Sequence, residues 1–220
     1  MKRKQWIKIK WVKKQCAMIL ILVLAMLGCA GKEKSVYRAQ ALIIAELESK
    51  ARKINSYAQD YKIKGLLVKR MYFQFEKNGR PFYRFREDFI RAEKRYVYIY
   101  NADGKHDYHY FPDEKKAYRC LTNNAWNDGN YEKAKDWHFS YKDARIIGEE
   151  IILGKECYLL ELQNSIFAVW KEKGIKLAKM NNRKDRNQTM YYENIEFDFS
   201  DDVFSIPSDV IVIDRKECNF

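Results

Sequence analysis

Tyr96-Val97-Tyr98-Ile99-Tyr100 is the stretch that decides the fold class. With a period of two, its three tyrosines fall on one face and its two aliphatics on the other, which is the pattern of a half-buried strand. Working outward, Asn101-Ala102-Asp103-Gly104 reads as a hairpin turn into a strand over His106 to Phe111. Phe111-Pro112-Asp113 turns the chain again into Ala117 to Leu121. Upstream, Asn78-Gly79 marks the reversal into Phe82 to Phe89, and Tyr61 to Phe75 is long enough for two strands or for one bent at Gly65.

The alternation resumes after residue 143 with Arg145 to Ile152, Cys157 to Leu162, Ile166 to Trp170, Ile175 to Met180, Met190 to Phe199 and Asp209 to Ile213. That predicts about ten strands in one antiparallel meander. One strong helical stripe precedes it: Val36, Ala39, Ile43, Leu47, Ala51 and Ile54 recur at three- and four-residue spacing behind the N-cap Ser35. Residues 122–143 break the alternation, with a short helical possibility around Tyr131 to Trp137. All 16 tyrosines and 12 phenylalanines lie beyond Cys29, a composition that favours sheet. Only three prolines and nine glycines occur, and no linker divides the chain.

The net charge of +12 points at first to nucleic acid, but residues 1–28 hold seven basic and no acidic residues. The remainder carries 35 basic against 30 acidic side chains, a net +5 that is ordinary for a soluble domain, so no nucleic-acid partner is expected. The basic start is followed by the apolar run Cys16 to Leu27, too short to span a bilayer and of the length found in signal peptides. Leu27-Gly28-Cys29-Ala30 resembles the end of a bacterial lipobox, with Met26 and Leu27 in the places of the usual aliphatic and small residues. The resemblance implies cleavage between Gly28 and Cys29, a diacylglycerol on Cys29, and an extracytoplasmic chain held to a bacterial membrane, the outer one where the source has two. An uncleaved anchor helix and a plain secretory signal are the alternatives. The expected organisation is a signal peptide over 1–28, a tether over 29–35, one domain over 36–213 and a tail over 214–220.

Four further features resemble the superfamily of periplasmic lipoprotein carriers and lipoprotein receptors. They are Ile54-Asn55-Ser56-Tyr57 after the helix; the hairpin from Gly148-Glu149-Glu150 to Gly154-Lys155-Glu156-Cys157-Tyr158; Val169-Trp170 before Gly174; and the ending Asp202-Val203-Phe204-Ser205-Ile206-Pro207-Ser208-Asp209. The implied fold is mainly β (α+β), a strongly curved antiparallel sheet forming a half-open barrel, with the N-terminal helix and a short insertion covering the concave face. The implied function is non-catalytic: a cavity that takes an acyl chain or a lipoprotein, or a protein-interaction and envelope-stress-sensing module on the same scaffold.

Residues read individually agree with a binding role. His106 and His109 are three apart, which on a regular strand puts them on opposite faces, so no shared metal ion and no cofactor are expected. Glu149-Glu150 and Asp201-Asp202 lie at turns, where solvated carboxylates are the default, and no nucleophile elbow or phosphate loop occurs. With Cys16 removed and Cys29 acylated, Cys120, Cys157 and Cys218 remain; Cys120 and Cys157, both on expected strands, are the candidate disulfide, with free buried thiols as the alternative. The alternation also supplies more apolar side chains than one helix can cover: Val97, Ile99, Leu160, Leu162, Phe167, Val169, Ile195, Phe197 and Phe199 are the expected ligand-facing set.

Overall fold

A computed structural model of the chain describes residues 35–91, 93–122, 130–180 and 189–216. The expected cleavage site at Gly28 and Cys29 lies outside the described residues. The chain divides into two compact units between Ile43 and Ile44. Of the first, residues 35–43 are described; they are helical, and Val36, Tyr37 and Leu42 are exposed. Everything below concerns the second unit.

Helix α1 (residues 35–52) enters that unit with Leu47 and Ala51 fully buried. Then come β1 (Ser56–Ile63), β2 (Leu66–Lys77), β3 (Arg80–Arg91), β4 (Lys94–Tyr100), β5 (His106–Phe111), β6 (Lys116–Leu121), α2 (Asn130–Phe139), β7 (Arg145–Ile152), β8 (Lys155–Leu162), β9 (Ser165–Trp170), β10 (Lys176–Met180), β11 (Met190–Phe197) and β12 (Ile211–Asp214). Tight two-residue turns make several of these hairpins. Lys64-Gly65, Asn78-Gly79 and Leu153-Gly154 each have both residues at positive φ, the backbone of the type I′ turn. The first of them settles Tyr61 to Phe75 as two strands.

The strands form one long, curved, unclosed sheet in the order β12-β6-β5-β4-β3-β2-β1-β11-β10-β9-β8-β7. Two meanders, β1 to β6 and β7 to β11, are joined where β1 pairs antiparallel with β11. The single-meander expectation is corrected here, and also at the C-terminus, where β12 runs parallel to β6. The parallel direction follows from residues 199–206, which pack across the sheet before the chain reaches its edge.

β4 shows how the two faces are filled. Tyr98 and Tyr100 pack into a cluster with Tyr57, Phe73, Phe75 and Tyr83 of the sheet, Ala51 of α1, and Ala134 and Phe139 of α2. Val97 and Ile99 point the other way, into a cluster closed by Phe199, Val203, Phe204 and Ile206. The first is called the helix face and the second the opposite face. On the opposite face the C-terminal segment is held by Arg84, whose Nε donates to Gln74 at 2.6 Å and whose Nη1 donates to the Ala102 carbonyl at 3.1 Å. Asp201, read from sequence as a solvated acid, lies 2.9 Å from Arg84 Nη2.

The Cys120–Cys157 pairing is incorrect. Cys120 sits on β6 and Cys157 on β8, with eight strands between them, whereas a disulfide needs Cα atoms within about 7 Å. Cys120 is disulfide-bonded, and Cys157 is a free, buried thiol whose pKa burial pushes up to about 11. A thiol so protonated is a poor nucleophile.

Candidate ligand-binding site

The helix face contains a cavity of about 420 Å³ between α2 and the strands β1, β2, β9, β10 and β11. Its position follows from how α2 is anchored. Lys135 Nζ donates to the Arg52 carbonyl at 2.7 Å, and the Arg52 guanidinium pairs with Glu132 and Asp136. Past the helix end, the Tyr141 hydroxyl donates to the Gly174 carbonyl at 2.6 Å. The helix thus has Glu132, Lys135 and Asp136 tied to α1 and turns Ala134, His138 and Phe139 inward.

His138 is the polar centre of that inward face. Its Nδ1 lies 3.2 Å from the Tyr57 hydroxyl and its Nε2 3.2 Å from the Tyr83 hydroxyl, with the rings of Phe73 and Phe75 4.4 and 5.2 Å away. Burial, and after it the charge of Lys176, pushes its pKa down to about 3, so the ring is neutral. A neutral imidazole has one donor and one acceptor nitrogen, so one tyrosine donates to it and the other accepts.

The walls of the cavity are Tyr57 and Tyr61 from β1, Met71 and Phe73 from β2, Trp137 to Phe139 from α2, Phe167 from β9 and Tyr192 from β11. Against these stand three lysines and no carboxylate. Lys69 is paired with Glu87 at 2.5 Å. Lys176 and Lys179 have no ion pair among the described residues and instead lie 5.2 and 5.8 Å from the ring centroid of Phe167. Burial, then the charge of Lys179, lowers the Lys176 pKa to about 8. Two residues three apart would face opposite sides of a regular strand. A register shift between Lys176 and Ala178 sets Lys176 opposite Val169 and Lys179 opposite Phe167, returning both ammonium groups to one face.

The structure scatters the nine residues expected to face a ligand. Phe167 alone lines this cavity. Leu160 and Val169 are completely buried, and Leu162 is half-buried at the end of β8. Ile195 and Phe197 line a separate cavity of about 350 Å³ with Trp170 and Leu177. Val97, Ile99 and Phe199 belong to the opposite face, under the C-terminal segment. Sequence reading missed Tyr57, Tyr61, Phe73, His138, Lys176 and Lys179; the lysines were visible as charges inside the apolar run Ile175 to Met180. His106 is bonded to Asp103 through Nδ1 at 2.8 Å, while His109 is bonded to Tyr96. Among the described residues no three His, Cys, Asp or Glu are placed to share a metal ion, and no helix is long and apolar enough to cross a membrane.

No protein-family model matches the chain. No curated protein matches it in sequence. Among solved structures it is similar to an uncharacterized conserved protein from Thermus thermophilus, at 12% identity and a TM-score of 0.49, covering 80% of this chain and 99% of that one. It is also similar to MucB, at 14% identity and a TM-score of 0.43 over 80% of this chain and 66% of that one. The MucA/MucB complex from Pseudomonas aeruginosa matches at 13% identity and a TM-score of 0.42, covering 80% of this chain and 63% of that one.

Proposed function

We propose that the chain is a non-catalytic envelope lipoprotein, anchored through Cys29, whose helix-face cavity binds an amphipathic ligand with an acyl or aromatic body and an anionic end. The observation that carries this reading is the pair Lys176 and Lys179: two ammonium groups held in an aromatic cavity with no carboxylate in its lining. A half-buried cation without a counter-charge loses hydration, and an anionic head group would offset that loss while its tail lies on Tyr61, Phe167 and Tyr192. The volume falls in the range of roughly 300–1,000 Å³ usual for small-ligand sites. The cavity wall also has no serine, threonine, cysteine or carboxylate to make His138 part of a nucleophilic pair.

The test is titration of delipidated protein with a fluorescent fatty acid. Saturable uptake, weakened about tenfold in Lys176→Met by loss of one charge contact and abolished in Phe167→Asp with the fold retained, is the expected result. A parent protein that takes up no probe, and that carries no co-purifying lipid by mass spectrometry, would end this reading.

A protein-interaction role has its own observation. β12 is an edge strand whose Ile211, Val212 and Ile213 are all exposed, a template for strand addition by a partner. On that reading the cavity lysines are incidental and probe uptake is absent.

A further inference from the structure

The β1–β2 hairpin ends in a feature the cavity does not explain. Leu66, Leu67 and Val68 follow one another directly and are 72%, 59% and 40% exposed. A register shift in the β1–β2 pair leaves Val68 opposite no residue of β1, so Leu66 to Val68 form an exposed apolar run at the tip. An exposed aliphatic run of this kind carries a functional reading. Leu67 and Val68 reach the rim of an apolar cavity on the opposite face, beside Val97 and Pro207, yet both remain exposed there. The tip is also cationic. The turn residue Lys64 is exposed and has no ion pair among the described residues, whereas Lys62 is paired with Glu193 at 2.8 Å and Lys69 with Glu87 at 2.5 Å. The same hairpin contributes Tyr61 and Lys69 to the wall of the helix-face cavity.

We infer that the hairpin tip docks the protein on an anionic lipid surface: Leu66, Leu67 and Val68 enter the interfacial layer, and the unpaired Lys64 meets the head groups. Aliphatic residues with cations just behind them are the chemistry that such an interface selects. A second protein copy would satisfy the leucines but bring no anionic partner for Lys64, since the same tip on that copy is also cationic. The inference does not depend on the cavity reading, although the two are compatible, since a ligand leaving a bilayer at this tip would find the Tyr61–Lys69 wall beside it.

Sedimentation with vesicles does not decide the matter, because the full chain also carries the apolar run Cys16 to Leu27. Peptide-resolved hydrogen exchange on the full chain does. Vesicles of phosphatidylglycerol should slow exchange of the amides over residues 63–68 by about tenfold, with a smaller effect on phosphatidylcholine. The double variant Leu66→Ser/Leu67→Ser should lose this protection while keeping the fatty-acid uptake of the parent, since neither residue lines the helix-face cavity. That control keeps failure of docking distinct from failure of the cavity. Unprotected tip amides in vesicle-bound protein would overturn the proposal, as would protection that grows with protein concentration when no vesicles are present. Equal protection on the two lipids would overturn the anionic selection.

Discussion

The carbonyl oxygen of Leu47 occupies the space that a side chain on Gly174 would need: a Cβ built there lies 2.0 Å from it. Gly174 also has φ of +71°, and its amide closes the turn by donating to the Trp170 carbonyl at 2.7 Å. The close approach lets α1 rest directly on the turn before β10, with Tyr141 donating to the Gly174 carbonyl from the other side. Gly174→Ala combines left-handed strain with a clash against backbone, which has no rotamer to yield. We expect a loss of about 3 kcal/mol or more, read as a lower urea midpoint with an unchanged slope. A variant as stable as the parent would show that α1 does not bear on this turn.

Stability should fall in acid because of His138. Its folded pKa of about 3 lies below the ordinary value of 6.5, so between those two values the unfolded chain binds a proton that the folded chain does not. The contribution is therefore fully present above about pH 6.5 and is lost as the pH falls toward 3, at up to about 1.4 kcal/mol per pH unit. His109, lowered to about 4 by burial, acts in the same direction. Thermal melts should show His138→Gln less stable than the parent near neutral pH but with a shallower acid limb, the remaining slope belonging to His109. An unchanged limb would rule His138 out.

If the cavity binds an anionic head group as proposed, Lys176 gives that binding a pH dependence of opposite origin. Below about pH 8 the ammonium is charged and attracts an anionic head group; above it the charge is lost. An alkyl sulfonate probe, ionised throughout, should bind about tenfold more weakly near pH 9.5 than near pH 7, and Lys176→Met should bind weakly and equally at both. A bound anion should also raise the Lys176 pKa. A flat profile in the parent would place the anionic end elsewhere.

Most of the strand order was legible because period-two alternation and turn pairs such as Asn78-Gly79 are local signals. What packs on each face was not. Tyr96 to Tyr100 is apolar on both sides, so parity could not say that Val97 and Ile99 lie under Phe204, some hundred residues on, and not beside Leu160. The site was hidden for two reasons. The α2 sequence Asn130–Phe139 has no apolar stripe, so its burial of His138 depends on the Arg52 and Lys135 contacts. And Lys176 and Lys179 share a face only through a register shift that alternation does not reveal.

The last prediction concerns Arg84, which joins both ends of the domain across the opposite face. Its side chain is 4% exposed; besides its bonds to Gln74 and Ala102 and its ion pair with Asp201, the guanidinium lies 3.9 Å from the centroid of the Phe204 ring. Gln74 completes the arrangement by donating to the same Asp201 carboxylate at 2.8 Å. Because Asp201 is half exposed, it can return to water when its partner is removed, so Arg84→Met should cost about 2–4 kcal/mol, below the range for stranding a buried charge. Arg84→Lys keeps the charge but not the planar fork that serves Gln74, Ala102 and Asp201 together, and should recover only part of the loss. Asp201→Asn keeps an oxygen for Gln74 and Arg84 but leaves the buried guanidinium without a counter-charge, and should cost about 1–3 kcal/mol. Hydrogen exchange locates the effect: in Arg84→Met the amides of residues 201–214 and of Val97 and Ile99 should exchange faster, while those of β8 and β9 keep the parent's protection. If all strands loosen together, Arg84 supports the whole sheet and not a clasp on its C-terminal segment.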